Sequence, residues 1–251
     1  MKYLKKFETH SQYDTYINGS DVVLPNVSLC VQQNEVHYNP YVDPYGGHEY
    51  VEIGGLKWAT MNVGANSVTD NGLYFQWADA QGYTASQVGS GEGQKYFGWA
   101  DYKYGNGTGF PSETGMAKYN STDGLTTLDA ADDAAVANWG GSWRMPTTAE
   151  FQALGNAVNT VLTADYQGSG VAGIICTDKT DNSKVLFFPA VGFCDDGSAR
   201  RVGSRGYYWS SSLNTDGRLN AIHLYFDNSE GADWDSYTFR STGFAVRPVA
   251  D

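Results

Sequence analysis

The stretch from residue 79 to residue 125 most limits what this chain can fold into. It is rich in Gly, Tyr, Asn and Ser and shows only weak periodicity. Compact domains rarely hold so long a segment without regular structure. The fold must therefore be one that tolerates irregular backbone. The composition supplies the means. Thirty glycines provide tight turns, and 14% aromatic residues provide large side chains to pack beneath them. Hydrophobic residues reach 41%, so a packed core is within reach, while charged residues are only 18%.

Regular elements flank that stretch. Val51 to Trp58 predicts a hairpin turning at Gly54-Gly55. Leu73–Trp77 predicts a short aromatic strand. Asp129–Ala137 predicts a helix with early acids and a stop at Gly140-Gly141, in which Asp132 and Asp133 complement the dipole. Thr147, three residues before Glu150, predicts a capping box, with Phe151, Leu154 and Val158 on one helical face. Strands are predicted at 185–189, 207–212, 221–226 and 244–249. Residues 1–45 differ in character. They suggest a short helix over Thr9–Ile17, then two extended stretches (22–31 and 36–38), with Pro40 and Pro44 as punctuation. Residues 1–45 are expected to form a small appendage for assembly or attachment, and residues 46–251 the main domain.

Several function classes are disfavoured. A net charge of -12 repels phosphate backbones and anionic lipid, so neither nucleic acid nor membrane insertion is expected. Three cysteines (Cys30, Cys176 and Cys194) form no disulfide framework and no CxxC pair. Cys176 and Cys194 lie among apolar residues and are expected as buried thiols. No signal peptide is visible, and no apolar run reaches membrane-spanning length. Ser210-Ser211-Ser212 is not a nucleophile elbow, and His10, His37, His48 and His223 show no ligand spacing. Trp143 and Arg144 are expected to brace a helix against the sheet. No catalytic residue, metal site or cofactor is expected.

Five ordered motifs carry a resemblance over roughly residues 50–251. They are Trp58-Ala59-Thr60-Met61-Asn62-Val63-Gly64, Gly72-Leu73-Tyr74-Phe75-Gln76-Trp77, Trp139-Gly140-Gly141-Ser142-Trp143-Arg144-Met145-Pro146-Thr147, Tyr208-Trp209-Ser210-Ser211-Ser212 and Gly243-Phe244-Ala245-Val246-Arg247-Pro248-Val249. Together they resemble the Fibrobacter succinogenes major paralogous domain family. The resemblance implies an α+β domain of the C-type-lectin-like and formylglycine-generating-enzyme-like class, with two helices, short twisted antiparallel sheets and many loops. Formylglycine-generating enzymes rely on C-terminal cysteines. No cysteine follows Cys194 here, so that activity is not carried over.

Residues of about 206–249 are similar to the variable proteins of diversity-generating retroelements, found in phages and gut bacteria. In those systems template adenines are randomised, often in AAY codons. Asp235-Ser236-Tyr237-Thr238-Phe239 contains only residue types reachable in that way, whereas Glu230 and Trp234 would be fixed. The resemblance implies a non-enzymatic ligand- or receptor-binding protein with a diversified surface, on a virion or cell exterior. Its partner would be a protein or glycan on a cell surface, and a homo-oligomer is left open.

The expected contact residues are Asn214, Asp216, Arg218, Asn220, His223, Tyr225, Asp235, Ser236, Tyr237, Phe239 and Arg240. Alternation sends Ile222, Leu224 and Phe226 to the core. It leaves Ala221, His223 and Tyr225 facing outward or into a second layer, and His223 is expected to touch ligand. Residues 235–239 are expected as a loop. Four acids between Asp227 and Asp235 frame an alternative, a calcium-assisted glycan-binding lectin of fixed sequence. A structural virion or surface component is the third reading.

Overall fold

The computed structural model describes residues 45–229 and 231–251, together with the backbone of four strands among the first 44 residues. These strands are β1 (Asp14–Ile17), β2 (Ser20–Val23), β3 (Ser28–Gln32) and β4 (Glu35–Asn39). They form two antiparallel pairs, β1 with β2 and β3 with β4. Asp14–Ile17 is thus extended rather than helical. The rest of the expected helix, with Pro40 and Pro44, lies outside the described residues. The chain divides into two compact units, residues 1–48 and 49–251.

The second unit opens with the hairpin of β5 (Tyr50–Ile53) and β6 (Leu56–Ala59). Gly54 and Gly55 take φ of +65° and +80°, the left-handed pair that a two-residue turn matching strand twist requires. The last strand, β15 (Val249–Ala250), pairs with β6, so both ends of the unit share one sheet. Residues 79–125 carry three single-turn 3-10 segments, Ala85–Gln87, Trp99–Asp101 and Glu113–Gly115. Leu73–Trp77 forms only two isolated bridges, Tyr74 to Tyr83 and Phe75 to Phe244. Likewise, of the expected closing strand, Phe244 and Ala245 contribute single bridges.

The first helix, α1 (Ala134–Trp139), begins later than its composition suggests. The cause is Asp133, whose carboxylate accepts from Ala135 N and Val136 N at 2.8 and 3.0 Å and so caps the helix. Asp132 does not serve the dipole. It is 2% exposed and accepts from Lys103, Lys118, Tyr104 and Tyr119 at 2.6–2.7 Å, tying the irregular segment to the helix start. The second helix, α2 (Thr148–Ala157), is capped by Thr147 and Glu150 in a reciprocal box. Arg144 forks onto Glu150 at 2.6 and 2.8 Å and reaches Asp251. Phe151 and Leu154 point into the core, whereas Val158 has already left the helix.

Three further sheets follow. One is β7 (Val158–Thr163), β8 (Gly173–Asp178) and β9 (Val185–Pro189); another is the short pair β10 (Phe193–Asp195) and β11 (Ser198–Arg200). The third is β12 (Arg205–Leu213), β13 (Asn220–Asp227) and β14 (Gly231–Phe239), with β13 in the middle. Among the described residues the architecture is α+β, with two α-helices and short antiparallel sheets. Among the described residues no helix is long and apolar enough to cross a membrane.

Strands β12 and β13 are buried on both faces, while β14 keeps every second side chain from Asp233 to Phe239 exposed. Tyr208, Leu224 and Phe226 join Trp58, Phe151 and Phe188 in one cluster. Trp209, Leu213 and Ala221 join Phe75, Trp77 and Phe244 in another. Each fully buried large side chain contributes about 1.5–3 kcal/mol, so the two clusters together hold this sheet rigidly. Cys176 and Cys194 are buried and unpaired, and burial pushes both thiols up to about 12.

Candidate ligand-recognition face

Two expected contact residues are interior. His223 is 2% exposed. Its ring lies 4.8 Å from Phe244, 5.7 Å from Trp209 and 5.8 Å from Tyr207. Strand alternation separates Leu224 and Phe226, in one cluster, from Ala221, in the other, but Ile222, expected in the core with Leu224 and Phe226, is half-buried opposite Tyr237 and belongs to neither. The face bearing His223 meets Phe244 instead of water. Burial lowers its pKa to about 4, partly countered by the Leu224 carbonyl at 3.2 Å from Nδ1. Arg240 is 0% exposed just past the end of β14, so it is not part of the exposed face.

Residues 235–239 are strand rather than loop. They end β14, which among the described residues pairs with β13 alone. Exposure alternates from Asp233 onward: Asp233, Asp235, Tyr237 and Phe239 face solvent, while Trp234, Ser236 and Thr238 are half-buried. The register shifts once. His223 pairs with Ser236 and Tyr225 with Asp233, so Trp234 and Asp235 together oppose Leu224. Trp234 packs on the core beside α2, where a Cβ on Gly155 would come 2.6 Å from its indole Nε1. Asp235 accepts from Gln152 of α2 at 2.7 Å. Beyond that bulge Tyr237 sits opposite Ile222 and Phe239 opposite Asn220.

Tyr237 is 63% and Phe239 42% exposed. Phe239 packs edge-on against Phe110 at 5.2 Å, and both meet Trp99, at 5.8 and 5.7 Å. Phe110 is itself 64% exposed. The surface therefore holds three protruding rings, with Asp235 on one flank and Asn220 on the other. Large rigid rings with few rotatable bonds, edged by short polar groups, suit recognition. Sequence reasoning missed Phe110 and Trp99. The available signal was a lone Phe closing the glycine-rich run Gly105–Phe110, with no apolar neighbour to bury it.

The remaining expected residues mostly support backbone. Asn214 accepts from Asp216 N at 3.0 Å, shaping the turn between β12 and β13 in which Asp216 is exposed. Arg218 donates to the Asn120 and Leu125 carbonyls, which fastens this turn to the irregular segment. Tyr225 is half-buried against Tyr207 and donates to Asp227. Asp227 is buried, and its oxygens also accept from the Ser229 backbone and hydroxyl. Among the described residues no three His, Cys, Asp or Glu side chains gather as a metal cluster. A cleft of about 530 Å³ lies elsewhere, lined by Thr69, Asp70, Asn71, Val202 and Asn228 among others. Of the region 206–249 only Asn228 reaches it.

The chain matches no family model, no curated protein and no solved structure.

Proposed function

We propose that this chain is a non-enzymatic binding protein with a C-type-lectin-like domain. Its outer β14 face is the ligand-contacting surface, and the protein belongs with the variable proteins of diversity-generating retroelements. One observation supports this above the others. Asp235, Tyr237 and Phe239 project from an edge strand whose sheet is locked by two buried clusters, so their identity can change without loss of core packing. The surface recognises a protein or glycan on a cell surface, by aromatic contact and short polar side chains rather than by covalent chemistry. Display would be on the exterior of a virion or cell.

The test is a display library in which Asp216, Asn220, Asp235, Tyr237 and Phe239 are randomised together and sorted by resistance to protease. Most members are expected to stay folded, and clones binding arbitrary protein baits should emerge. A parallel library at Leu224, Phe226 and His223 should lose folding almost entirely. If the two libraries collapse alike, the outer face is structural and the proposal fails.

A further inference from the structure

Two arginines are completely buried, and the fold treats them differently. Arg247 has an acceptor for every nitrogen. Its Nε donates to Asn62, Nη1 to the Ala59 and Thr60 carbonyls, and Nη2 to the Phe187 carbonyl, at 2.8–3.0 Å. In Arg240 only Nη1 is engaged, with the Tyr119 carbonyl at 3.2 Å and more weakly with that of Lys118. Its Nε and Nη2 have no acceptor. The guanidinium carbon lies 5.5 Å from both the Trp77 and Tyr102 rings. The nearby carboxylates are turned to other work. Asp123 accepts from Tyr119 N and Leu125 N, and Glu113 from Arg218 N.

The unmatched pair has a specific shape. Nε–H and Nη2–H point the same way along one edge of the guanidinium, the fork that receives both oxygens of a carboxylate. A buried cation without partners is costly, and Arg247 shows that backbone carbonyls in this fold are able to satisfy one. Tyr102, beside Arg240, meets Trp99 edge-on at 5.4 Å, and Trp99 supports Phe110 and Phe239. The indole Nε1 of Trp99 is a further buried donor without an acceptor. The run Gly105–Phe110 reaches this cluster through the Phe110 ring. It has glycine at 105, 107 and 109, with φ of +73° at Gly107 and +114° at Gly109. Between Asn106 and Phe110 its backbone hydrogen bond is internal, Thr108 N to the Asn106 side chain, so Phe110's ring contacts latch it to the domain.

We propose that Arg240 is the anion receptor of a site for a carboxylate carried on an aromatic body. The carboxylate occupies the Nε/Nη2 fork. The body lies among Trp99, Phe110 and Phe239 once the Gly105–Phe110 run swings aside. A monovalent carboxylate fits better than a phosphate dianion, because the aromatic walls would strip more hydration from the higher charge. The site shares Phe239 with the proposed β14 surface, but its anion receptor Arg240 and Trp99 are interior, so it does not require that surface to be diversified.

The test titrates the full chain with 3-phenylpropionate (a free aromatic acid) and with acetyl-Gly-Phe (a chain terminus). The amide of each serves as control, followed by tryptophan fluorescence and calorimetry. At least one acid should bind saturably, with its amide about tenfold weaker or worse. R240M should abolish binding while leaving Tm unchanged or higher, because an unpaired buried cation is replaced by an apolar chain. R240K, a point charge without the fork, should also lose about tenfold or more. F110G should speed association. If R240M fails to fold, the acid-to-amide comparison on the parent chain decides. Absence of saturable binding by either acid up to about 10 mM, equal binding of acid and amide, or unchanged binding by R240M overturns the proposal. Which acid binds separates the two sources of the carboxylate.

Discussion

Acid should unfold this protein partly through one residue. His223 has an ordinary pKa near 6.5 when unfolded, and burial among Tyr207, Trp209 and Phe244 lowers it to about 4 in the fold. Above pH 6.5 both states hold the neutral ring, and the full stability is present. As pH falls from 6.5 towards 4 the unfolded chain takes up a proton that the folded chain refuses. Stability is therefore lost at about 1.4 kcal/mol per pH unit, and the loss levels off below 4. The gap of about 2.5 units corresponds to about 3 kcal/mol. The measurement is urea unfolding from pH 8 to pH 4, for the parent chain and for His223→Leu. Carboxylates titrate in both proteins, so they cancel in the difference. That difference should shift by about 3 kcal/mol in favour of the variant across this window. A difference that stays flat with pH would refute the argument, because it would mean that the imidazole gains its proton as readily inside the fold as outside.

Asp132→Ala leaves two lysines and two tyrosines without their shared acceptor. It should cost about 3–5 kcal/mol by chemical denaturation, and Asp132→Asn should recover only part of it. Gly155→Ala places a Cβ 2.6 Å from the Trp234 indole. The overpacking should cost about 1–3 kcal/mol and shift Trp234 fluorescence, and a neutral result would show that β14 yields easily. Thr147→Ala removes the α2 cap and should lower stability by about 1 kcal/mol. Tyr237→Ala, at a ring that is 63% exposed, should stay within about 0.5 kcal/mol of the parent, since a larger loss would place that ring in the fold's own packing.

The legible parts of the fold share one property: their cause lies within a few residues. Gly54-Gly55 turns a hairpin because only glycine takes two successive left-handed positions without steric cost. Thr147 and Glu150 start a helix because their side chains reach the backbone three residues away. Strand β14 is illegible in the sequence because Asp-Ser-Tyr-Thr-Phe alternates in exposure without alternating in hydropathy, and its bulge interrupts the count. Asp132 reads as a helix-dipole residue in the sequence because its four partners, from residue 103 to residue 119, are contributed by a segment without periodicity.

What the sequence determined by itself was the set of local elements and the sorting of β13 side chains onto two faces, since period-two geometry is a property of the extended backbone. Which of those faces meets water was decided only in three dimensions. Phe244, 21 positions beyond His223, closes over one face of the sheet, and the 118–119 backbone folds against Arg240. Burial depends on what arrives from elsewhere in the chain, and neither residue's neighbours in sequence carry that information.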